Sequence, residues 1–256
     1  MELRQGSGEP LLLIHGLGGS ARIWEPVIDL LAPQRETIAL DLPGFGTAPP
    51  FSDGTEPTAA NLTTALRERC LELGIERPHV AGNSLGGWVA LEAGRAGWAA
   101  SVTALSPAGL WRAPLGPRRR DSRALARRLR PLVGLALRAR RPREAALRTF
   151  AAKPERIPPG AGRELVLDWL DAPGYDDANR AMRSHVFDPA GYPAEMPVTV
   201  AWCERDRLVG PPRQERLPTQ ARFLVLPGVG HTPTWDDPEL VASTLLEGSA
   251  RISSPA

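Results

Sequence analysis

The chain has 256 residues, enough to bury one large core with an insertion and without disulfide support. A formal net charge of +2 and the lack of a nucleic-acid-binding motif argue against a general nucleic-acid binder. Cys70 and Cys203 lie far apart without metal-ligand spacing, so we interpret both as reduced packing residues. No apolar run is long enough to span a bilayer and no signal peptide is visible, which predicts a cytoplasmic location.

The first part of the sequence alternates strands with helices. Residues 11–14 form a continuous apolar run that ends in a glycine-rich loop, which is typical of a parallel strand buried on both faces. The apolar spacing after this loop predicts a helix that is capped by Ser20 and ended by Pro33. A strand over 37–40 and a helix over 58–74 follow.

The next strand, at 78–81, runs into the pattern Gly82-x-Ser84-x-Gly86, and a helix follows it. A serine on so sharp a turn has strained backbone dihedrals, and the flanking glycines remove Cβ atoms that would collide there. The Ser84 hydroxyl is then exposed beside the unpaired first-turn N–H groups of the helix. The pattern is short enough to arise by chance, so its strand–turn–helix context is what favours a catalytic serine.

Strands and helices continue to alternate as far as a strand at 102–105. This order predicts a doubly wound, mostly parallel sheet, whose chemistry lies at the C-terminal ends of the strands. The segment 111–189 contains helical and proline-broken stretches without a convincing strand, so we interpret it as a helical cap. The core domain is then formed by 1–110 and 190–256. It resumes with strands at 198–202 and 223–226 and closes with a helix at 238–246.

Ser84 needs a general base at neutral pH, and histidine is the side chain whose ordinary pKa suits that task. His231 follows the last predicted strand and therefore lies at the same sheet edge as Ser84. The acid that orients its imidazole is either Asp206 or Glu204, since both follow the preceding strand. From its position alone, Asp206 is equally well interpreted as a solvated loop acid or as the orienting acid. The other histidines are His15, His79 and His185.

Five short motifs follow one another along the chain, and together they are more specific than any one of them. The motifs are His15-Gly16-x-Gly18-Gly19, Asp41-x-Pro43-Gly44-x-Gly46, Gly82-x-Ser84-x-Gly86-Gly87, Glu204-x-Asp206 and Gly230-His231. In this order they resemble the α/β-hydrolase fold superfamily over nearly the full length, as an esterase-like member with a helical cap. The resemblance implies that Ser84 is the nucleophile, His231 the base and Asp206 the orienting acid, which favours Asp206 over Glu204.

The resemblance also implies how the rest of the site is built. It assigns the oxyanion hole to the backbone N–H groups of Leu17 and Leu85, and it gives His15 a structural role. The cap is inserted after the family's sixth strand. The family usually has two strands before the strand that ends in His-Gly, whereas only ten residues precede Leu11 here. We therefore expect the first strand, at the N-terminal sheet edge, to be missing or vestigial.

These residues predict acyl transfer to water through an acyl-enzyme, without a metal or an organic cofactor. A small or medium carboxylic ester is the favoured substrate, because an alkoxide leaves more easily than an amine. Serine at position 84 argues against the dehalogenases and epoxide hydrolases of the superfamily, which use aspartate there. Gly-Asn-Ser-x-Gly-Gly resembles the same turn of meta-cleavage product hydrolases, which cleave a carbon–carbon bond. Cofactor-free haloperoxidase or perhydrolase activity and a non-catalytic small-molecule-binding module are further alternatives.

Positive charge is concentrated in the predicted cap, where thirteen arginines face only Asp121 and Glu144 over 112–148. A solvated helix surface is one interpretation. The other is an anionic partner, either an acidic lipid surface or an ester on an anionic carrier. We expect an apolar cap face to line the acyl pocket, formed by Leu125, Leu129, Leu132, Val133, Leu135, Ala136 and Leu137. The arginines are Arg112, Arg118, Arg119, Arg120, Arg123, Arg127, Arg128, Arg130, Arg138, Arg140, Arg141, Arg143 and Arg148.

Overall fold

A computed structural model describes residues 2–117 and 122–250 of the chain. Its strands are β1 (Glu2–Gln5), β2 (Pro10–Ile14), β3 (Glu36–Leu40), β4 (His79–Asn83), β5 (Ser101–Leu105), β6 (Val198–Cys203) and β7 (Arg222–Leu226). They form one sheet in the order β1-β3-β2-β4-β5-β6-β7. All neighbouring strands are parallel except β1, which is antiparallel to β3. The predicted doubly wound, mostly parallel sheet is confirmed.

Helices cover both faces of this sheet. They are α1 (Glu25–Leu31), α2 (Ala59–Glu72), α3 (Leu85–Arg95), α4 (Ser122–Arg128), α5 (Arg130–Ala136), α6 (Arg140–Leu147), α7 (Pro159–Asp171), α8 (Tyr175–Ser184) and α9 (Pro238–Gly248). Helices α2 and α3 pack together on one face, and α1 and α9 pack together on the other. None of the helices in the two described ranges has both the length and the apolar character needed to cross a bilayer.

Alternating side chains of the central strands supply two separate hydrophobic cores. In β2, Leu12 and Ile14 pack with α2 and α3, whereas Leu11 and Leu13 pack with α1 and α9. A parallel strand covered on both faces is apolar at every position, which explains the continuous run in the sequence. The arrangement aligns the C-terminal ends of β2, β4, β6 and β7 along one edge of the sheet.

The N-terminal edge of the sheet is formed by an antiparallel strand. Within the described residues, β1 is the one strand before β2. Its antiparallel pairing with β3 places it at the edge, far along the sheet from β6 and β7.

The segment after β2 differs from the predicted continuous helix. Residues Ala21–Trp24 form a 3₁₀ turn, and α1 begins only at Glu25. Ser20 does not cap either element. Its hydroxyl instead donates to Asp168 Oδ2 in α7 at 2.6 Å. A charged acceptor from a distant helix competes successfully with the local backbone here.

Five helices, α4 to α8, lie between β5 and β6, where the sequence predicted the cap. Helices α4 to α7 share a hydrophobic cluster that includes Leu147, Ile157, Val166, Leu167 and Leu170, whereas α8 packs against the core cluster of α2 and α3. We retain the division into a 1–110 and 190–256 core and a 111–189 cap as an interpretation of this arrangement. Of the cap arginines, Arg118, Arg119 and Arg120, together with Asp121, lie outside the described residues.

Both cysteines are free and buried, Cys70 in α2 and Cys203 at the end of β6. Burial raises the pKa of Cys70 to about 11 and that of Cys203 to about 12. A thiol held in its neutral form is a poor nucleophile and a poor redox group. Both residues therefore act as small apolar packing groups, as predicted.

Candidate active site

Ser84 occupies a turn between β4 and α3 that only a narrow set of residues can form. Its φ of 57° and ψ of −117° lie in a region that L-residues rarely adopt. A Cβ at Gly82 would lie 2.1 Å from the Gly86 carbonyl oxygen, and a Cβ at Gly86 would lie 2.2 Å from that of Ile14. Glycine is therefore required at both positions, because backbone atoms cannot move aside as a flexible side chain can.

Backbone hydrogen bonds hold this turn while the hydroxyl stays available. The Ser84 N–H donates to Leu105 O at 3.0 Å, and Ser84 O accepts from Trp88 N and Ala108 N at 3.1 and 2.9 Å. The hydroxyl does not cap α3, and Ser84 lines a large cavity. The backbone is thus fixed by β5 and α3, and the side chain faces the space where a ligand would bind.

His231 and Asp206 form a close, buried pair. His231 Nδ1 lies 2.6 Å from Asp206 Oδ2, and the two side chains are only 6% and 1% exposed. The other carboxylate oxygen, Oδ1, accepts from Leu208 N at 2.8 Å and Val209 N at 2.9 Å. An ionised carboxylate accepts only, so Nδ1 carries the proton and Nε2 is left as the acceptor. Nε2 is the atom that would take a proton from Ser84.

Two effects compete on the pKa of Asp206. Burial alone would raise the pKa of this carboxyl. The hydrogen bond and the charge of His231, with the N–H groups of Val209 and Leu208, outweigh burial and hold the pKa below its ordinary value. Asp206 is therefore ionised at neutral pH. Glu204 is exposed and accepts instead from Gly228 N at 2.7 Å, so the structure brings Asp206 rather than its rival to His231.

Asn83, next to Ser84, links the serine turn to the histidine loop. Its Nδ2 donates to the backbone oxygen of His231 at 2.7 Å and to that of Leu105 at 3.2 Å. The serine and the histidine come from strands that are not neighbours in the sheet, so this bond fixes their separation directly. Our sequence analysis did not identify this role, because an asparagine inside a short motif does not reveal its distant partner.

The two predicted oxyanion donors belong to segments that adjoin Ser84. Leu85 is the first residue of α3, so its N–H has no partner within the helix. Leu17 lines the cavity in the loop after β2, which approaches so closely that a Cβ at Gly16 would lie 3.0 Å from Ser84 Cβ. Two N–H groups at this place suit an oxygen that develops negative charge.

His15, in the same loop, has both ring nitrogens occupied by backbone groups. Nε2 accepts from Leu42 N at 2.9 Å, and Nδ1 donates to Gly16 O at 2.8 Å. Burial lowers the pKa of His15, with smaller opposing contributions from Gly16 and nearby acids. The ring is thus neutral and holds two loops together, which agrees with the structural role that the resemblance implied.

A cavity of about 940 Å³ lies over Ser84 and His231, between the core and the cap helices. Most of its walls are apolar, which is typical of a small-molecule site. The expected cap residues do not line it, and that prediction is wrong. Leu125, Leu129, Leu132 and Leu135 face outward, whereas Val133 and Leu137 pack into the hydrophobic cluster of the cap. The cap side chains that do line the cavity include Leu147, Phe150, Ile157, Val166 and Trp169.

Asp236 joins the histidine loop to the cap, and sequence reasoning missed it. Its buried Oδ2 accepts from Gly230 N at 2.7 Å and from Ala152 N at 2.8 Å, and Oδ1 accepts from Lys153 N at 2.7 Å. In the sequence it stands before Asp237-Pro238, a pattern that indicates only the start of α9. The signal for its real role lies in a contact with residues more than 80 positions away.

Known proteins resemble this chain over most of its length. Residues 11–244 match the model of a family described as Alpha/beta hydrolase family. Epoxide hydrolase EphH of Mycobacterium tuberculosis (strain ATCC 25618 / H37Rv) is 32% identical over 74% of this chain and 96% of its own length. A dihydrolipoyllysine-residue acetyltransferase component of the acetoin cleaving system of Pseudomonas putida is 30% identical over 96% of this chain, which spans 64% of that protein.

Solved structures share the fold at lower identity. The enol-lactonase from Burkholderia xenovorans LB400 superposes with a TM-score of 0.75 at 20% identity, covering 96% of this chain and 95% of that one. A thermophilic esterase from Thermogutta terrifontis gives a TM-score of 0.71 at 23% identity, with 96% and 91% covered. At these identities the likeness establishes the fold alone.

The Asp236 contacts predict that Asp236→Asn lowers both stability and activity. Asparagine offers one acceptor oxygen, so at least one buried N–H loses its partner, which costs about 1–3 kcal/mol and roughly 2–12 °C in Tm. Thermal unfolding and turnover of an ester would measure both effects. Asp237→Asn is the matched control, since asparagine caps a helix as well as aspartate does. Equal Tm values for the two variants would contradict this role of Asp236.

Proposed function

The chain belongs to the alpha/beta hydrolase family and is a hydrolase, and from this premise we propose that it cleaves a small or medium carboxylic ester through a serine-bound acyl-enzyme. One observation carries the proposal: Ser84, on a strained turn, and His231, which is paired with the buried Asp206, line the same cavity. This is the arrangement that a serine needs to become a nucleophile at neutral pH.

In the proposed mechanism, Ser84 Oγ attacks the ester carbonyl while His231 Nε2 takes its proton. Asp206 keeps the imidazole in the tautomer with hydrogen on Nδ1 and stabilises the imidazolium. The N–H groups of Leu17 and Leu85 stabilise the oxyanion. His231 returns its proton to the leaving alkoxide, and water attacks the acyl-enzyme by the same steps. Catalytic hydrogen bonds often tighten only when substrate binds, so we expect Oγ and Nε2 to approach further in the complex.

Serine chemistry distinguishes this chain from its epoxide-hydrolysing relative. An epoxide opened by a carboxylate leaves an ester on the enzyme, which water can hydrolyse. An epoxide opened by Ser84 would leave an ether, which water does not hydrolyse under these conditions. A carbonyl substrate therefore suits Ser84 better than an epoxide does, although EphH is named as an epoxide hydrolase.

The Gly-Asn-Ser turn was the reason to consider a hydrolase that cleaves a carbon–carbon bond. In this structure Asn83 holds the backbone of His231, a role that any reaction using this pair would require. The asparagine thus favours neither bond type, and the better leaving group of an ester supports the ester. The cytoplasmic location, like the ester substrate, is part of this proposal.

The proposal predicts a graded loss of activity among the three residues. Ser84→Ala and His231→Ala should each abolish turnover, and Asp206→Asn should lose roughly three to four powers of ten in kcat because tautomer control fails. The measurement is hydrolysis of a panel of p-nitrophenyl esters, with a fluorophosphonate label to report the nucleophile.

Glu204→Gln is the matched control and should stay near the wild-type rate. An inactive Glu204→Gln together with an active Asp206→Asn would show that the acid is assigned wrongly. Well-folded wild type that neither takes up the label nor hydrolyses any ester would instead indicate a non-catalytic binding protein.

Activity should fall as the solution becomes acidic, because only a neutral imidazole accepts the serine proton. Stability should change at lower pH. The pKa of Asp206 is below its ordinary value in the folded protein, so its ionised form stabilises the fold above the ordinary aspartate pKa, and this is lost as the pH falls through the lowered value. The measurements are kcat/KM for a slowly cleaved ester and Tm against pH. A flat activity profile would contradict a histidine base.

We also propose that the outer face of the cap contacts an anionic lipid surface. Leu125 on α4, Leu129 between the helices, and Leu132 and Leu135 on α5 are spaced three or four residues apart and are between 44% and 63% exposed. Arg128, Arg138 and Arg141 lie among and after them, and no described acidic side chain pairs with them. Apolar side chains interspersed with unpaired arginines are typical of helices that lie in an anionic membrane interface.

Other cap arginines do not contribute to this face. Arg123 is buried and donates to Trp169 O at 2.9 Å and to Ala172 O at 2.6 Å. Arg143 is buried and donates to Leu137 O at 3.2 Å, and Arg130 pairs with Asp171. The excess charge seen in the sequence is thus partly structural, which leaves fewer arginines for a partner.

The lipid proposal predicts that the protein sediments with vesicles of equimolar phosphatidylcholine and phosphatidylglycerol, but much less with phosphatidylcholine alone. Changing Leu129 and Leu132 to Gln should abolish sedimentation without loss of ester hydrolysis. Leu71→Gln is the control, since Leu71 is 50% exposed on α2, away from the cap. Equal sedimentation of all three proteins, or concentration-dependent dimers that the double change removes, would overturn the proposal.

A further inference from the structure

The charged side chains that line the cavity over Ser84 are all positive. Three arginines, Arg112, Arg183 and Arg213, are among the residues that line it. Within the described part of the chain, none of its lining residues is an aspartate or a glutamate, because Asp206 lies behind His231. A cavity with low-dielectric walls and charge of one sign attracts ligands of the opposite sign.

The three arginines come from separate segments that meet at one place. The Arg213 N–H donates to Leu110 O at 2.9 Å, which brings the loop after β6 alongside the segment after β5. Arg183, in α8, donates through Nε to Gly116 O at 2.7 Å. The segment that carries Arg112 therefore runs between the other two. The sequence does not reveal this convergence, since the three positions are far apart in the chain.

This basic region lies within reach of a substrate bound at Ser84. The Ala108 N–H donates to Ser84 O at 2.9 Å, and Arg112 follows Ala108 by four residues. Four residues of fully extended chain span at most about 14 Å, which limits the backbone distance between them. On the histidine side of the site, the Val209 N–H donates to Asp206 Oδ1 at 2.9 Å. Arg213 follows Val209 by four residues.

Two of the three guanidinium groups have no partner among the described residues. Arg183 is engaged by the backbone oxygens of Gly116 and Leu115. The side chains of Arg112 and Arg213 are exposed and form no hydrogen bond or ion pair with a described residue. A guanidinium presents paired N–H donors that match the two oxygens of a carboxylate or phosphate. Their donors are therefore available to an anionic group of a ligand.

We propose that the natural substrate is an ester that carries a second, anionic group, bound by Arg112 and Arg213 while Ser84 attacks the carbonyl. The apolar wall formed by Leu147, Ile157 and Val166 would take the uncharged part of the molecule. This inference rests on the proposed esterase function and narrows its substrate class to esters with a carboxylate or phosphate. Arg183 adds positive potential and holds the segment in place.

The test uses two p-nitrophenyl esters of equal chain length, one ending in a methyl group and one ending in a carboxylate, with a phosphate-ended ester as a third arm. Wild type should favour an anionic ester over the neutral one in kcat/KM. Arg112→Gln and Arg213→Gln should each reduce that preference roughly tenfold, through a higher KM for the anionic ester. A preference for the carboxylate-ended or for the phosphate-ended ester identifies the anionic group of the substrate, and either preference supports the proposal.

Arg138→Gln is the matched control, since Arg138 is an exposed cap arginine outside the cavity. It should keep the preference, which separates binding in the cavity from general attraction by the basic cap. Wild type that hydrolyses both esters equally would overturn this inference and leave the esterase function intact. Failure to hydrolyse any ester, with Ser84 unlabelled by fluorophosphonate, would overturn both. Thermal unfolding of each variant verifies that a lost preference is not lost folding.

Discussion

The structure depends on how closely the backbone packs around Ser84. The turn tolerates no Cβ at Gly82 or Gly86, because the carbonyl oxygens of Gly86 and Ile14 already lie within 2.2 Å of where those atoms would be. The approach joins the end of β2, the end of β4 and the start of α3 into one rigid unit. The cost of an unfavourable serine conformation is met by the hydrogen bonds to β5 and α3. The remaining site residues are positioned relative to this unit.

The histidine loop is held from both sides. Asn83 fixes it to the serine turn, and Asp236 fixes it to the cap segment that begins at Phe150. Thr232 N–H adds a further bond to Phe150 O at 2.9 Å. The position of His231 therefore depends on the cap as well as on the sheet. The cap both lines the cavity and holds the loop that carries His231. A change in this part of the cap is therefore expected to alter the position of His231 as well as substrate binding.

The predictable parts of this protein are those encoded in short stretches of sequence. Six of the seven strands and the serine turn follow from local apolar runs and glycine spacing, and His231 follows from its position after a strand. Strand β1 was not predicted, and Asp206 was preferred to Glu204 only through the family resemblance. Contacts between distant segments were not predictable. Ser20 was expected to cap a helix and binds Asp168 instead. Leu125, Leu129, Leu132 and Leu135 were expected to line the cavity and are exposed instead, because amphipathic spacing shows that a helix has an apolar face but not which surface covers it.

The contact between the histidine loop and the cap affects how the cap of one hydrolase can be transplanted onto the core of another to change its substrate specificity. A Cβ at Gly230 would lie 2.6 Å from Ala152 N, so these two stretches of backbone are in direct contact. A cap transplanted from another hydrolase by joining it only at its two chain junctions would replace residues 150–153 and remove the support of His231. A functional chimera therefore has to keep that short stretch from the recipient and vary the cap around it. The segment that is exchanged to change specificity should therefore end within the cap, on either side of residues 150–153, and not at the two ends of the cap.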